Sequence, residues 1–310
     1  MNVFKIKIDI MKKIFSLLVF CLSIFASIAQ DSTEAAVPEP PKQKFTRATF
    51  NATKIINMQS TEIVSKGTMQ FMVSHHFSYI FNEGQPGGQS LAQLFGLNSG
   101  VAHTYVSFDY SPLDYLNLGV AAAGFSQYEG WAKFKLLRQQ TGEKEMPVSM
   151  ALYSLFNVNT ASDPTIEITG NRFSFLNQLL VARKFSDKLS LQFIPTWIHF
   201  NVVPYGINNS NDVFSLGMAG KYKMTSTLNL TFEYSRQLNM YENIITKSGT
   251  IMNYNPDLLS AGIEINTGGH LFQFYVGNTV SSSNIDQMAK NTSSIKDGNF
   301  AFGFTINRSF

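Results

Sequence analysis

The sequence predicts an all-β protein: a single closed antiparallel transmembrane β-barrel of about twelve strands in an up-and-down meander. Three observations carry this prediction. The composition is poor in charge and rich in aromatics, segments of about ten residues alternate between apolar and polar, and the connections between them alternate between short and long. Of the 310 residues only 15% are charged while 13% are aromatic, with 27 Phe against 2 Trp. A soluble domain carries about 25% charge. A helical membrane protein would instead show apolar runs of roughly 20 residues, and none follows the N-terminus. A mean hydropathy of −0.02 is what period-two alternation gives when one face of a strand meets lipid and the other meets water.

Residues 1–29 read as a secretory signal peptide. Met11-Lys12-Lys13 supplies a positive start, Ile14 to Ala26 an apolar core too short to span a bilayer, and Ser27-Ile28-Ala29 the small residues that a signal peptidase recognises, with cleavage before Gln30. Removal of this segment takes away four lysines and one aspartate and leaves 20 basic against 20 acidic residues. The mature chain is therefore near neutral, and its charge gives no case for nucleic acid. Cys21 is the only cysteine and lies inside the signal, preceded by Phe20 rather than a small residue, which argues against a lipoprotein. Disulfides, cysteine metal sites and a cysteine nucleophile are excluded for the mature protein.

Residues 30–45 are polar and Pro-rich and read as an extended periplasmic linker. Residues 46–65 are semi-regular, either a periplasmic element or a plug entering the lumen. Residues 66–310 are assigned to the transmembrane barrel. The strands are expected at 67–81, 101–110, 115–124, 131–139, 147–157, 173–185, 189–200, 213–224, 227–237, 258–266, 270–280 and 299–310. The alternation is clearest late in the chain. Leu228, Leu230, Phe232 and Tyr234 share one face, and Asn229, Thr231, Glu233 and Ser235 the other. Leu259, Ala261, Ile263 and Ile265 oppose Ser260, Gly262, Glu264 and Asn266. The apolar sets are placed toward lipid and the polar sets toward the lumen.

The connections at 111–114, 141–146, 186–188, 225–226 and 267–269 are short, whereas 82–100, 158–172, 201–212, 238–257 and 281–298 are long. This alternation, broken only by a brief turn at Ser126 to Gly130, fits short periplasmic turns and long outer loops. Ser90 to Leu97 is expected to form a short helix in the first outer loop. The chain ends on Phe310, with Phe302, Phe304 and Ile306 in phase with it. A terminal aromatic on an alternating last strand is the expected signal for the outer-membrane barrel assembly machinery. Arg308 interrupts this phase but can snorkel at the interface.

The stretches KGTMQFMVSHHFSYIF (66–81), KFKLLRQQTGEKEMPVSMALYS (133–154) and NQLLVARKFSDKLSLQFIPTWIH (177–199) resemble a β-barrel family of Bacteroidota outer membranes, a domain of unknown function. The resemblance covers nearly all of 46–310. It implies a barrel fold and a location in the cell outer membrane of a Gram-negative bacterium, and it implies no activity.

Several polar residues are placed on the lumen face by phase: His76, His103, Asp109, Lys133, Lys135, Lys221, Lys223, Glu233 and Glu264. These charges either pair with one another and plug the bore, the favoured expectation, or line a selective path. His75 and His76 are adjacent, so they point to opposite sides of a strand and form no metal pair alone; His76 and His103 across neighbouring strands are the weak metal candidate, and no metal is assigned. An outer-membrane lipid hydrolase would need a Ser–His couple facing lipid, and His75 with Ser78 or Ser107 is the only thin candidate. The Gly-rich segment at 82–90 follows no phosphate-loop pattern. No catalytic residue and no cofactor are assigned. The leading functional expectation is a small channel or transport-type barrel with a partly occluded polar lumen. A non-catalytic envelope scaffold binding a protein partner is the alternative, and the hydrolase comes third. The partners expected are outer-membrane lipid and, during biogenesis, the assembly machinery.

Overall fold

The computed structural model describes residues 43–81, 102–124, 126–162, 169–202, 209–239, 241, 244–245, 251–252 and 257–310. Twelve antiparallel strands form one closed barrel in which each strand pairs with its sequence neighbours. In chain order they are β1 (Met69–Phe81), β2 (Ala102–Leu113), β3 (Leu116–Ala123), β4 (Gln127–Leu137), β5 (Ser149–Asn159) and β6 (Phe173–Lys184). They continue as β7 (Leu189–Phe200), β8 (Asp212–Lys223), β9 (Leu228–Gln237), β10 (Leu258–Asn266), β11 (Leu271–Gly277) and β12 (Phe300–Ser309). Among the described residues no helix is long and apolar enough to cross a membrane; the crossing elements are the strands.

The seam is closed by β12 against β1. At the chain end Phe310 and Met69 exchange both backbone hydrogen bonds at 2.9 Å. Phe302 stacks on Phe77, and Phe304 packs on His75 and Phe77, so aromatics cover the outside of this seam. The register slips near its far end, where β1 runs from His76 to Tyr79 while β12 runs only from Gly303 to Ala301. The extra residue inverts the facing of β1 beyond Phe77 and lets the Tyr79 hydroxyl bond Ser293 in the last connection.

The barrel is built inside out relative to a soluble domain. Leu152, Phe156, Phe193, Trp197, Phe214, Leu230, Phe232 and Ile263 are large, apolar and exposed on the outside, whereas Asn117, Lys133, Gln192, Asn229, Glu233, Glu264 and Gln273 are buried inside. An outward apolar band around a largely polar interior lets the strands satisfy their backbone groups by pairing with one another while presenting a mainly hydrocarbon surface to lipid.

The largest difference from the expected boundaries is at the start of β4. A turn is expected at Ser126 to Gly130, but β4 begins at Gln127, after Gly124 and Ser126, which take positive φ (70° and 56°). Gly130 is a strand residue. The ring of Phe156 on β5 lies over it, and a Cβ there would come within 2.5 Å of that ring. Gly220 is covered by Phe232 in the same way. A glycine that makes room for a cross-strand aromatic looks like a turn in sequence. At the other end of the barrel β2 runs on to Leu113 through a register irregularity after Tyr110. The segment Ser90 to Leu97 lies outside the described residues.

Two further described segments bear on the lumen. Before β1, Lys44–Phe45 pairs with Gln140–Thr141 of the β4–β5 connection, and from Thr49 to Thr61 every residue except the half-buried Asn51 is buried. Between β11 and β12 lies a six-residue helix, α1 (Asn284–Ala289), capped by Ser283, with Asn284, Ile285, Gln287, Met288 and Ala289 buried.

Candidate functional site in the barrel lumen

Residues 53–60 form a tight hairpin. Lys54 bridges Gln59, the Ser60 N–H donates to Thr53 O at 2.9 Å, and the Ile55 N–H donates to Met58 O at 2.8 Å. The tip is therefore Ile55 to Met58, and its outward backbone groups need partners inside the barrel. Glu233 of β9 supplies one set. Its carboxylate accepts the Asn57 N–H at 2.9 and 3.1 Å and the Met58 N–H at 3.0 Å. Gln273 of β11 donates to Ile55 O at 2.6 Å, and Asn57 Nδ2 donates to Ser260 Oγ of β10 at 2.9 Å.

The base of the hairpin is held by the opposite charge. Lys133 of β4 is fully buried and donates to the carbonyls of Thr53, Ser60 and Glu62 at 2.9, 3.0 and 3.1 Å. Gln192 of β7 clasps the same arm from the other side, donating to Gln59 O at 2.7 Å and accepting the Thr61 N–H at 2.9 Å. Lys221 of β8 donates to Ala48 O and to Asn51 Oδ1, while Glu264 of β10 accepts from Asn51 and Asn229. Lys135 forms an ion pair with Glu62 at 3.5 Å.

The helix end is held by a third carboxylate. Glu129 of β4 accepts from Ser283 Oγ and from the Asn284 N–H and amide, and Asn284 also reaches the Tyr105 hydroxyl. The two inserts touch each other where Gln287 Nε2 donates to Asn57 Oδ1 at 3.1 Å. Asn57 thus links Glu233, Ser260 and α1.

These contacts correct the expected pairing network. Among the described residues no ion pair joins two of Asp109, Lys133, Lys135, Lys221, Lys223, Glu233 and Glu264. Lys133 and Glu233 bind the inserted backbone, Lys221 binds Ala48 O and the Asn51 side chain, Glu264 binds Asn51 and Asn229, and Lys135 pairs with Glu62 of the inserted segment. Asp109 accepts from Asn117 Nδ2 at 2.7 Å and from the Trp131 indole at 3.1 Å. Lys223 is exposed, opposite Asn229 at the short-turn rim of the barrel. The physical reason is span. Inserted chain occupies the space between opposing wall side chains, so they meet that chain before one another.

The lumen also departs from the polar lining expected. On β5 to β8 the inward side chains include Leu155, Leu176, Leu180, Ile194, Ile198 and Val213, which share one apolar cluster with Ile55 and Met58 of the hairpin and Ile285 and Met288 of α1. On β5 to β7 no charged residue is buried.

His76 is buried and opposes His103 directly in register, and its Nε2 lies 3.2 Å from the Tyr275 hydroxyl. Among the described residues no group of three or more His, Cys, Asp or Glu is placed to hold a metal. His75 pairs with Thr104 rather than with a serine, its Nδ1 lying 3.1 Å from Thr104 Oγ1. Ser107 is buried on the lumen side. Glu129 is a site residue that sequence reasoning missed, because it falls in the stretch taken for a turn. Its alternation with Trp131 and Lys133 was the available signal.

Comparison with known proteins places this geometry in context. The structure is similar to the KdgM porin (TM-score 0.43, 10% identity, covering 77% of this chain and 99% of that one). It is also similar to a Pseudomonas aeruginosa FadL homologue (TM-score 0.38, 11% identity, 85% and 93% covered) and to the CymD monoaromatic hydrocarbon channel (TM-score 0.35, 9% identity, 80% and 89% covered). No curated protein matches the sequence. A family model described as a membrane bound beta barrel domain, DUF5777, matches residues 50–310, which takes in the inserted hairpin as well as all twelve strands, and the chain belongs to that family.

Proposed function

We propose that the protein is a transport-type barrel of a Gram-negative outer membrane, exported through residues 1–29 and held closed at rest by residues 46–65 and α1. The observation that supports this reading most directly is the chemistry of the contact between insert and wall. Glu233, Lys133, Lys221, Gln192 and Gln273 hold the hairpin through its backbone. Each such hydrogen bond exchanges for one to water at a net cost of about 0.5–1.5 kcal/mol, provided water reaches the groups as they part. A polar clasp of this kind can be undone stepwise by a wetting lumen, and the displaced chain leaves behind a bore lined by Glu233, Glu264, Lys133 and Lys221. A purely apolar filling would expose hydrocarbon to water when it moved and would have no such route.

A reversible lock tests the reading. Asn57→Cys with Ser260→Cys places two thiols where a 2.9 Å hydrogen bond now joins the side chains, and Cys21 lies in the segment proposed to be removed. In planar bilayers the reduced protein should pass transient currents, and the oxidised protein none. A variant lacking residues 46–64, with 281–298 replaced by a short glycine linker, should conduct continuously. If that variant folds, judged by heat-modifiable gel mobility, and still passes no current, the channel reading fails and an anchoring scaffold takes its place.

A further inference from the structure

The outside of the wall at β5 to β8 carries a groove of about 470 Å³, whose apolar lining includes Phe134, Leu152, Leu179, Trp197, Phe214 and Leu216. Ser154 and Asn177, hydrogen-bonded to each other at 2.8 Å on the outer surface, lie within it, a polar pair on a face that otherwise meets hydrocarbon.

The wall is weakest behind this groove. Pro195 sits in the interior of β7, where it cannot donate to the ladder. Pairing between β6 and β7 holds at Gln178↔Thr196, lapses at the next two positions, and resumes in the same register at Val181↔Phe193. Gln178 and Ser215 also line the groove. They are 4% and 2% exposed, and Gln178 Oε1 and Ser215 Oγ have no hydrogen-bond partner. The Gln178 amide nitrogen is already engaged by Thr196 Oγ1 and by Met288 Sδ of α1. Two buried polar atoms thus lie behind an apolar groove, and beside them on the same inner face lies the apolar cluster of Leu176, Leu180, Ile194 and Ile198.

We propose that this groove binds a single-chain amphiphile with an uncharged hydrogen-bonding head, its chain along Trp197 and Phe214 and its head hydrogen-bonded to Gln178 and Ser215, which flank Thr196 next to the lapse in the β6–β7 ladder. The head donates to Gln178 Oε1 and accepts from the Ser215 hydroxyl. No charged residue lines the groove, so an ionised head would be desolvated without a counter-charge. The inference rests on the transport reading and names its substrate class. The ligand would approach the lumen from the bilayer side, beside α1, through β5 to β7, an arc of wall with no buried charge among the described residues.

The experiment reads Trp197 fluorescence of the purified full barrel as bromine-labelled stearyl alcohol is added, with Trp197→Phe as the control that reports Trp131 alone. Quenching should saturate, be reversed by unlabelled stearyl alcohol, and be weaker for ionised stearate. Gln178→Leu with Ser215→Ala should lower the affinity about tenfold, the loss of one to two hydrogen bonds, while circular dichroism and heat-modifiable mobility stay unchanged. Quenching that rises without saturation in every variant would show ordinary solvation by lipid and overturn the site. Saturable quenching indifferent to Gln178 and Ser215 would equally overturn it, because the head would then remain outside the wall. The readout is binding rather than current, so a closed, non-conducting barrel that passes this test would sink the channel reading and leave the site standing.

Discussion

Strands β5 to β7 and strands β8 to β10 are neighbours in one wall and meet the lumen with different chemistry. The first arc presents Leu155, Leu176, Leu180, Ile194 and Ile198, all buried, with glutamine, threonine and serine between them and no buried charge. The second presents Lys221, Glu233 and Glu264, and each of these binds the inserted chain. The difference separates two tasks. Charged side chains reach the polar backbone of the insert and fix its register, because charge-assisted hydrogen bonds are short and directional. Apolar side chains fix no register and exclude water by packing against Ile55, Met58, Ile285 and Met288. A filling held only by the first kind of contact would be wet, and one held only by the second would be free to slide.

The sharpest way to break this division is at the charged side across the bore. Lys133→Met leaves the carbonyls of Thr53, Ser60 and Glu62 without their shared donor. It should cost about 3–5 kcal/mol, as three charge-assisted bonds are lost in a buried setting. Thermal unfolding of the purified barrel measures the loss, and amide exchange at Thr53 to Ser60 should rise before the strands exchange. Unprotected hairpin amides in the native protein would mean that Lys133 holds nothing in place.

On the apolar arc, Leu180→Ala should cost about 2–4 kcal/mol through lost transfer energy and a residual cavity, measured by urea unfolding. Hairpin exchange should change far less than with Lys133→Met. Equal exchange in the two variants would erase the proposed distinction between register and packing.

Outside the barrel the comparison predicts a third behaviour. Phe232 faces outward beside the inward Glu233, and Phe232→Arg should cost about 2–4 kcal/mol in a bilayer while leaving the hairpin contacts intact. Folding titrations in lipid vesicles report it; a neutral outcome would mean that this side of β9 does not meet hydrocarbon. The smallest effect is expected at the rim of α1. Lys290 and Asp286 form a half-exposed i,i+4 pair at 2.9 Å, and Lys290→Ala should shift stability by no more than about 0.5 kcal/mol. A larger loss would locate part of the closure at the Lys290 contact with the Phe200 ring.

Much of the wall was legible in the sequence because its code is local. The limits expected for the strand at 189–200 and those at 258–266 coincide with β7 and β10, and the order of twelve strands follows from alternation and turn chemistry, which neighbouring residues alone determine. The terminal Phe310 could likewise be read as part of a closing strand, since its phase with Phe302, Phe304 and Ile306 is visible in the sequence. Where the local code is ambiguous the reading slipped. Gly130 looks like a turn until Phe156 is known to lie across it, and with that error Glu129 was lost from the candidate site.

What only the tertiary structure decided is which residues meet inside the barrel. Phase assigns Lys133 and Glu233 to the inner face, but phase is a property of one strand, and their partners lie 71 to 176 residues away along the chain. Residues 46–65 carry too little periodicity to choose between a periplasmic element and a plug, because a hairpin held by the side chains of other strands has no reason to repeat at any interval of its own. The sequence by itself determined the alternation that makes a wall and separates hydrocarbon from water. Closure brought β4, β7, β9 and β11 around one short hairpin, and only that convergence turned separate inward-facing polar residues into a clasp.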